Sequence, residues 1–196
     1  MPVETDEKGT YIFSSKDLCL IKELPEIIDM GIDSLKIEGR LKTEYYVATV
    51  INTYRAAIDD YYNNPEGFDP EKYIVELEKT KTRGLTTFFF NDRKNKDFQD
   101  LSGRQYNANY EFGGKVIKTL EDGKVLIEIR NKLSIGDILE LIVPGKLEPF
   151  VFEIDALWND ETLEKIDTVN PGKAGQKVIL NIPHNVEENW IIRRKK

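Results

Sequence analysis

The sequence predicts a mixed α+β protein in two parts, with strand–helix units over residues 1–82 and a small antiparallel β domain over residues 83–196. Two observations predict it. In the first part, short strand patterns alternate with stretches of helical period, and two consecutive strand–helix units imply parallel strands joined by a crossover. In the second, from Tyr110 onward, short alternating runs follow one another between turn residues, as in a small barrel or sandwich. The texture changes between Lys81 and Asn109.

The elements follow in order. Residues 10–13 have strand character after a polar lead, and Ser14 stands three residues before Asp17 as a capping-box-like helix start. Leu20, Ile21, Leu24, Ile27 and Ile28 keep helical spacing, Pro25 opens a second helical piece, and Gly31 stops it. Residues 34–38 read as a strand with Lys36 and Glu38 on one face and Leu35 and Ile37 on the other. A helix over 42–63 carries an apolar seam that includes Val47, Val50, Ile51, Tyr54 and Ala57, and Asn64-Pro65-Glu66-Gly67 ends it. A further helix spans 70–81. Residues 85–90 are a dense apolar β-type run. Strands are then expected over 111–117, 124–130, 138–143, 150–157 and 176–182.

Composition narrows the function classes. Hydrophobic content of 40%, charged content of 32% and a net charge of −7 describe an ordinary globular chain with no bulk attraction to polyanions. Local basic clusters at Lys79-Lys81-Arg83, Arg93-Lys94-Lys96 and the tail Arg193-Arg194-Lys195-Lys196 read as solvated surface. No apolar run reaches the roughly 20 residues that span a bilayer, so no membrane role is expected and the cytoplasm is the default. A lone cysteine excludes an internal disulfide framework.

Few residues carry chemistry. Walker, dinucleotide-glycine, HExxH and Cys-x-x-Cys motifs are missing. His184, the single histidine, sits beside Pro183 in an expected turn and reads as a surface residue, and Asp59-Asp60 reads as a solvated pair. Cys19 suits two descriptions: a buried small apolar residue between Leu18 and Leu20, or a thiol that a helix N-terminus and Lys16 would favour as thiolate. Lys36, Glu38 and Arg40 form the best constellation. An inward Lys–Glu pair shifts both groups, and the adjacent guanidinium suits a carboxylate or phosphate. A structural ion pair at a strand end accounts for the same pattern.

Several blocks taken together resemble the collagenase-like peptidase family U-32. They are Tyr11-Ile12-Phe13-Ser14-Ser15-Lys16-Asp17-Leu18-Cys19, the eight residues from Asp33 to Arg40, Tyr45-Tyr46-Val47-Ala48 and Tyr54-Arg55-Ala56-Ala57-Ile58-Asp59. Arg83-Gly84-Leu85-Thr86-Thr87-Phe88-Phe89 and the stretch from Arg130 to Asp137 resemble that family's C-terminal module. The resemblance implies the last βα units of a TIM-like barrel, followed by a small β-barrel similar to domain two of elongation factors.

On the same resemblance, the chain is a C-terminal fragment, catalytically incomplete by itself, and lacks an N-terminal barrel region that would be its partner. Family members carry a peptidase label, while relatives are implicated in oxygen-independent hydroxylation of RNA bases, with prephenate as donor, or of a quinone precursor. The resemblance places Lys36, Glu38 and Arg40 at the catalytic mouth. It makes Cys19 a ligand of a [4Fe–4S] cluster in the full-length protein, while the fragment itself holds no cofactor. RNA is an expected partner of the β-barrel, and the open edge of an incomplete barrel invites a homo-oligomer.

Overall fold

Turn residues and alternation set most element ends in the computed structural model, which describes residues 4–7, 9–11, 15–80, 82–91, 109–172 and 175–196. The chain divides into two compact units, Met1–Lys36 with Ala57–Ala108, and Ile37–Ala56 with Asn109–Lys196.

In the first unit, β1 (Glu4–Asp6) pairs antiparallel with β2 (Gly9–Tyr11), Asp6 lying opposite Gly9. The expected strand at 10–13 is thus the second arm of a hairpin and not the opening of a parallel unit; Ile12, Phe13 and the Ser14 cap lie outside the described residues. β3 (Asp17–Leu18) occupies the start of the expected helix. Helix forms only at α1 (Leu24–Asp29), with Pro25 in its first turn, and stops where Gly31 takes φ of 75°.

Helix α2 (Glu44–Asn63) begins in the second unit and ends in the first. Asn64 then caps a short 3₁₀ turn, Pro65–Gly67, its side chain accepting from the Gly67 N–H at 3.2 Å. α3 (Glu71–Leu77) buries Tyr73 and Leu77. β4 (Leu85–Thr86) runs parallel to β3, with Asp17 opposite Leu85 and Leu18 opposite Thr86. Only these two residues of the apolar run at 85–90 form a strand. Because that strand pairs with β3, the segment expected to open the second domain belongs with the first unit.

The second unit is built on alternation. Its strands are β5 (Tyr110–Thr119), β6 (Lys124–Ile129), β7 (Leu133–Ser134), β8 (Ile138–Ile142), β9 (Phe150–Glu153), β10 (Leu157–Asn159), β11 (Lys165–Ile166), β12 (Thr168–Val169), β13 (Lys177–Asn181) and β14 (Ile191–Lys195). In β6, Val125, Ile127 and Ile129 point inward and Lys124, Leu126 and Glu128 outward, as a period of two requires. Eight strands form one antiparallel sheet in the order β11-β10-β13-β6-β5-β14-β8-β9, and β7 pairs separately with β12. Phe152 from one edge strand and Leu157 from near the other join the same buried cluster. A flat sheet cannot bring them together, so the sheet curls around its core.

Two features of this sheet depart from expectation. The run at 150–157 breaks into β9 and β10, because Ile154 turns aside to exchange backbone hydrogen bonds with Gly136 and Asp137. The basic tail, expected as solvated surface, contains the central strand β14, paired with both β5 and β8. The bulge opposite Ile192 and Arg193 falls at Gly113, where a Cβ would lie 3.2 Å from the Ile192 carbonyl oxygen, while on the β6 side a Cβ on Gly114 would lie 2.6 Å from the Glu128 carbonyl oxygen.

The first half of α2 packs on this unit. Tyr45 clusters with Ile142 and Ile191, its ring stacked on Phe112 at 6.0 Å. The helix buries Thr49, Thr53 and Ala56 as well as Val50, whereas Ile51 of the expected seam is exposed. The Asn52 side chain ties it further, donating to the Lys146 carbonyl at 2.7 Å and accepting from the Gly145 N–H at 2.7 Å.

Candidate functional site

Cys19 follows β3 directly. Its N–H donates to the Thr86 carbonyl at 2.9 Å, extending the parallel ladder by one residue, and the residue is 7% exposed. It therefore sits at the C-terminal end of a parallel strand and not in the first turns of a helix. Parallel α/β folds gather their reactive groups at such ends. Gly84, at φ of 92°, turns the chain into β4 beside the Lys16 stem, whose carbons would lie 3.7–3.9 Å from a Cβ there. Nearby, Lys22 donates to Glu71 at 2.5 Å, and that hydrogen bond raises its pKa above the usual lysine range.

A [4Fe–4S] cluster is held by four cysteine thiolates. This chain has one, and among the described residues no group of three or more His, Cys, Asp or Glu gathers to hold a metal ion. The residues present supply at most one donor and do not fit a cluster by themselves.

Residues 34–38 do not form the expected strand. No ladder partner reaches them among the described residues, and a strand without a neighbour leaves its backbone groups to water. Lys36, Glu38 and Arg40 are all exposed and Ile37 is half-buried, so Lys36 and Glu38 are not an inward-facing pair. Glu38 instead organises its own turn, accepting from the Arg40 N–H at 2.8 Å. Gly39 allows that turn to approach the helix, since a Cβ there would meet Val47 Cγ2 at 2.6 Å. Its carbonyl accepts from the Lys42 N–H at 2.9 Å, and Thr43 caps α2 through the Tyr46 N–H at 3.2 Å.

Asp60, Lys72 and Tyr73 form a bonded cluster between α2 and α3. Asp60 accepts from Lys72 at 2.7 Å and from the Tyr73 hydroxyl at 2.5 Å, and the Lys72 bond first, then the Tyr73 bond, hold its carboxyl below the usual range. Burial, with the Asp60 bond, pushes the Tyr73 phenol up to about 12. His184 is half-buried, its ring 4.6 Å from that of Phe150 and 6.1 Å from that of Trp190, with Nδ1 2.5 Å from the Asn185 carbonyl.

The basic tail needs the largest correction. Arg193 is 0% exposed and ion-paired with Glu140 at 2.6 Å, beneath the ring of Tyr110 at 5.1 Å. Arg194 bonds Asp137 at 2.6 Å and also Glu111. Burial opposes its charge, but those bonds prevail and raise its pKa. Of the other expected basic clusters, Lys79 is paired with Glu76 at 2.8 Å, while Lys81, Arg93, Lys94 and Lys96 lie outside the described residues. Trp158 stands outward beside Lys165, a place signalled in the sequence only by the alternation Leu157-Trp158.

Comparison with known proteins agrees with this architecture. The model of peptidase family U32 matches residues 2–100, and that of the peptidase family U32 C-terminal domain matches residues 108–193. The tRNA hydroxylation protein P1 of Bacillus subtilis (strain 168) is 38% identical over 158 residues, covering 80% of this chain and 37% of that protein. The tRNA hydroxylation protein P of Escherichia coli (strain K12) is 34% identical over 188 residues, covering 95% and 40%. A collagenase of Porphyromonas gingivalis is 26% identical over 189 residues, covering 94% and 50%.

Among solved structures, the C-terminal domain of a Geobacillus thermoleovorans U32 peptidase aligns with a TM-score of 0.39 at 25% identity, covering 44% of this chain and 93% of that one. The chain spans roughly two-fifths of the length of the first two of these relatives. On the family models and the curated relatives together, the chain belongs to peptidase family U32.

Proposed function

We propose that this chain forms part of a U32 protein that hydroxylates tRNA, and that it supplies substrate-facing and binding surfaces and not a complete catalytic centre. The observation that carries this is the likeness to proteins named for tRNA hydroxylation, at 34% identity over 95% of the chain in one case. In the whole protein, β3 and β4 are strands of a TIM-like barrel, and Cys19 at a strand end is the one thiol this sequence offers to a cluster. Lys36, Glu38 and Arg40 contact substrate from an exposed loop. A tRNA-modifying protein works where tRNA is, in the cytoplasm, and on this reading the present chain shares that location.

Proteolysis draws less support. A peptidase needs an activated nucleophile or a metal-bound water. The single histidine instead packs between two aromatic rings. The test is a chimera in which this chain replaces the matching segment of the Bacillus subtilis P1 protein, expressed in a Bacillus subtilis strain that lacks P1 and also the tRNA hydroxylation protein P2, which is 42% identical to this chain over 93 residues. Nucleosides from its tRNA, analysed by mass spectrometry, should regain the form one oxygen heavier. A folded, soluble chimera that restores no such nucleoside but cleaves gelatin would overturn the proposal in favour of proteolysis.

A further inference from the structure

The outward face of the curled sheet carries a row outside the main buried cluster, with Ile179 at its centre 6% exposed. Ladder register aligns Lys165 of β11 with Trp158 of β10, Trp158 with Ile179 of β13, Ile179 with Leu126 of β6, and Leu126 with Lys118 of β5. A lysine therefore stands at each end of an apolar strip with an indole in it. Lys124, two residues before Leu126 on the same face, completes the group. Its Nζ lies 4.7 Å from the Trp158 ring centre, and that of Lys165 lies 5.9 Å away. Among the described residues none of these three lysines pairs with a carboxylate. Four inter-strand steps of about 4.8 Å separate the end lysines by roughly 19 Å of backbone.

Beside Trp158 and Lys124 lies an open depression of about 680 Å³, walled by the exposed Leu163 and by the tight turn at Glu121 and Asp122. Aromatic surface interleaved with cations spaced along a face is what single-stranded nucleic acid needs, because every base has a π-face and every linkage a negative charge. The chain carries a net charge of −7, so most of its surface repels a polyanion and confines it to such a strip. The carboxylates of Glu121 and Asp122 close one end to phosphate and leave acceptors for base N–H groups.

We propose that this face, centred on Trp158 and flanked by Lys118, Lys124 and Lys165, docks a short single-stranded RNA segment. One base stacks on the indole. The ammonium groups now over the ring move to the phosphates. The proposal deepens the RNA-modifying function and rests on it.

Binding of a fluorescent uridine hexamer to the full 196-residue chain, followed by anisotropy across a salt series, tests it. The native chain should bind with affinity that falls steeply with salt, and should prefer the hexamer to a duplex of equal length. Trp158→Ala should weaken binding about ten-fold or more, and Trp158→Phe should retain most of it. Lys124→Glu with Lys165→Glu, both surface changes that leave the core intact, should weaken binding and flatten the salt dependence. Native-like RNA affinity in Trp158→Ala and in the charge-reversed pair overturns the proposal, as does equal competition by a polyglutamate peptide. The two ideas fail separately. Binding through Trp158 beside an inactive chimera removes the hydroxylation role, whereas an active chimera whose RNA binding ignores Trp158 removes the docking strip.

Discussion

Two charged, alternating segments meet opposite fates. Residues 191–195 end in Arg-Arg-Lys, yet β14 is a central strand and Arg193 is completely buried. Residues 33–40 alternate just as regularly, yet they form no ladder among the described residues and leave Lys36, Glu38 and Arg40 exposed. Alternation is common to both, so it does not decide burial. Neighbours do. β14 finds strands on both sides, and its register sets Glu140 directly opposite Arg193, so the desolvated charge meets a countercharge. The 33–40 segment has no such neighbour among the described residues; its bonds are those of its own turn, from the Arg40 N–H to Glu38 and from the Lys42 N–H to the Gly39 carbonyl, and its charges stay exposed.

The largest way to break this contrast is to remove the buried guanidinium from its carboxylate. Arg193→Ala should destabilise the protein by about 3–5 kcal/mol in chemical denaturation, because the Glu140 carboxylate, 14% exposed, loses the guanidinium that balances its charge. Arg193→Met combined with Glu140→Gln should recover much of that loss, since no charge then remains to desolvate and the Tyr110 hydroxyl, 3.1 Å from Glu140, keeps an acceptor. A cost below about 1 kcal/mol for Arg193→Ala would mean that the pair is dispensable and that strand pairing alone fixes β14.

This contrast also marks how far the sequence could be read. Local signals carried through: Pro25 and Gly31 bound α1, Asn64-Pro65-Glu66-Gly67 ends α2, and five alternating runs became β5, β6, β8, β9 with β10, and β13. Each is settled within a few residues by backbone geometry or by period. What escaped depends on distant partners. The burial of Arg193 requires Glu140, 53 residues earlier. The strand at Asp17–Leu18, and with it the place of Cys19, requires Leu85–Thr86. On α2, Thr49 and Thr53 are buried where hydrophobicity predicted Ile51, and the Thr53 hydroxyl satisfies itself on the Thr49 carbonyl at 2.7 Å.

A second change sharpens the contrast from the exposed side. Gly39 has no unusual φ to justify it, so its requirement is steric: a Cβ would sit 2.6 Å from Val47 Cγ2. Gly39→Ala should cost about 1–3 kcal/mol, measured by urea unfolding, as either the turn or the start of α2 gives way. Adding Val47→Ala removes the colliding methyl and should restore most of the loss. Failure of that rescue would show that the loop's shape is held by something other than its approach to the helix.

The smallest expected effect on stability separates the two segments most cleanly. Glu38→Ala and Arg40→Ala remove exposed side chains; only Glu38→Ala loses the bond from the Arg40 backbone N–H, which water can replace. Each should change unfolding free energy by no more than about 0.5 kcal/mol. Lys36→Ala should behave the same way. In the hydroxylation chimera, however, the same substitutions should lower tRNA modification about ten-fold or more, because a side chain that positions substrate acts only when substrate is present. A stability loss as large as that of Arg193→Ala would make the loop a structural element like β14. Unchanged stability with unchanged modification would leave Lys36, Glu38 and Arg40 as solvated charges and move the substrate contacts elsewhere.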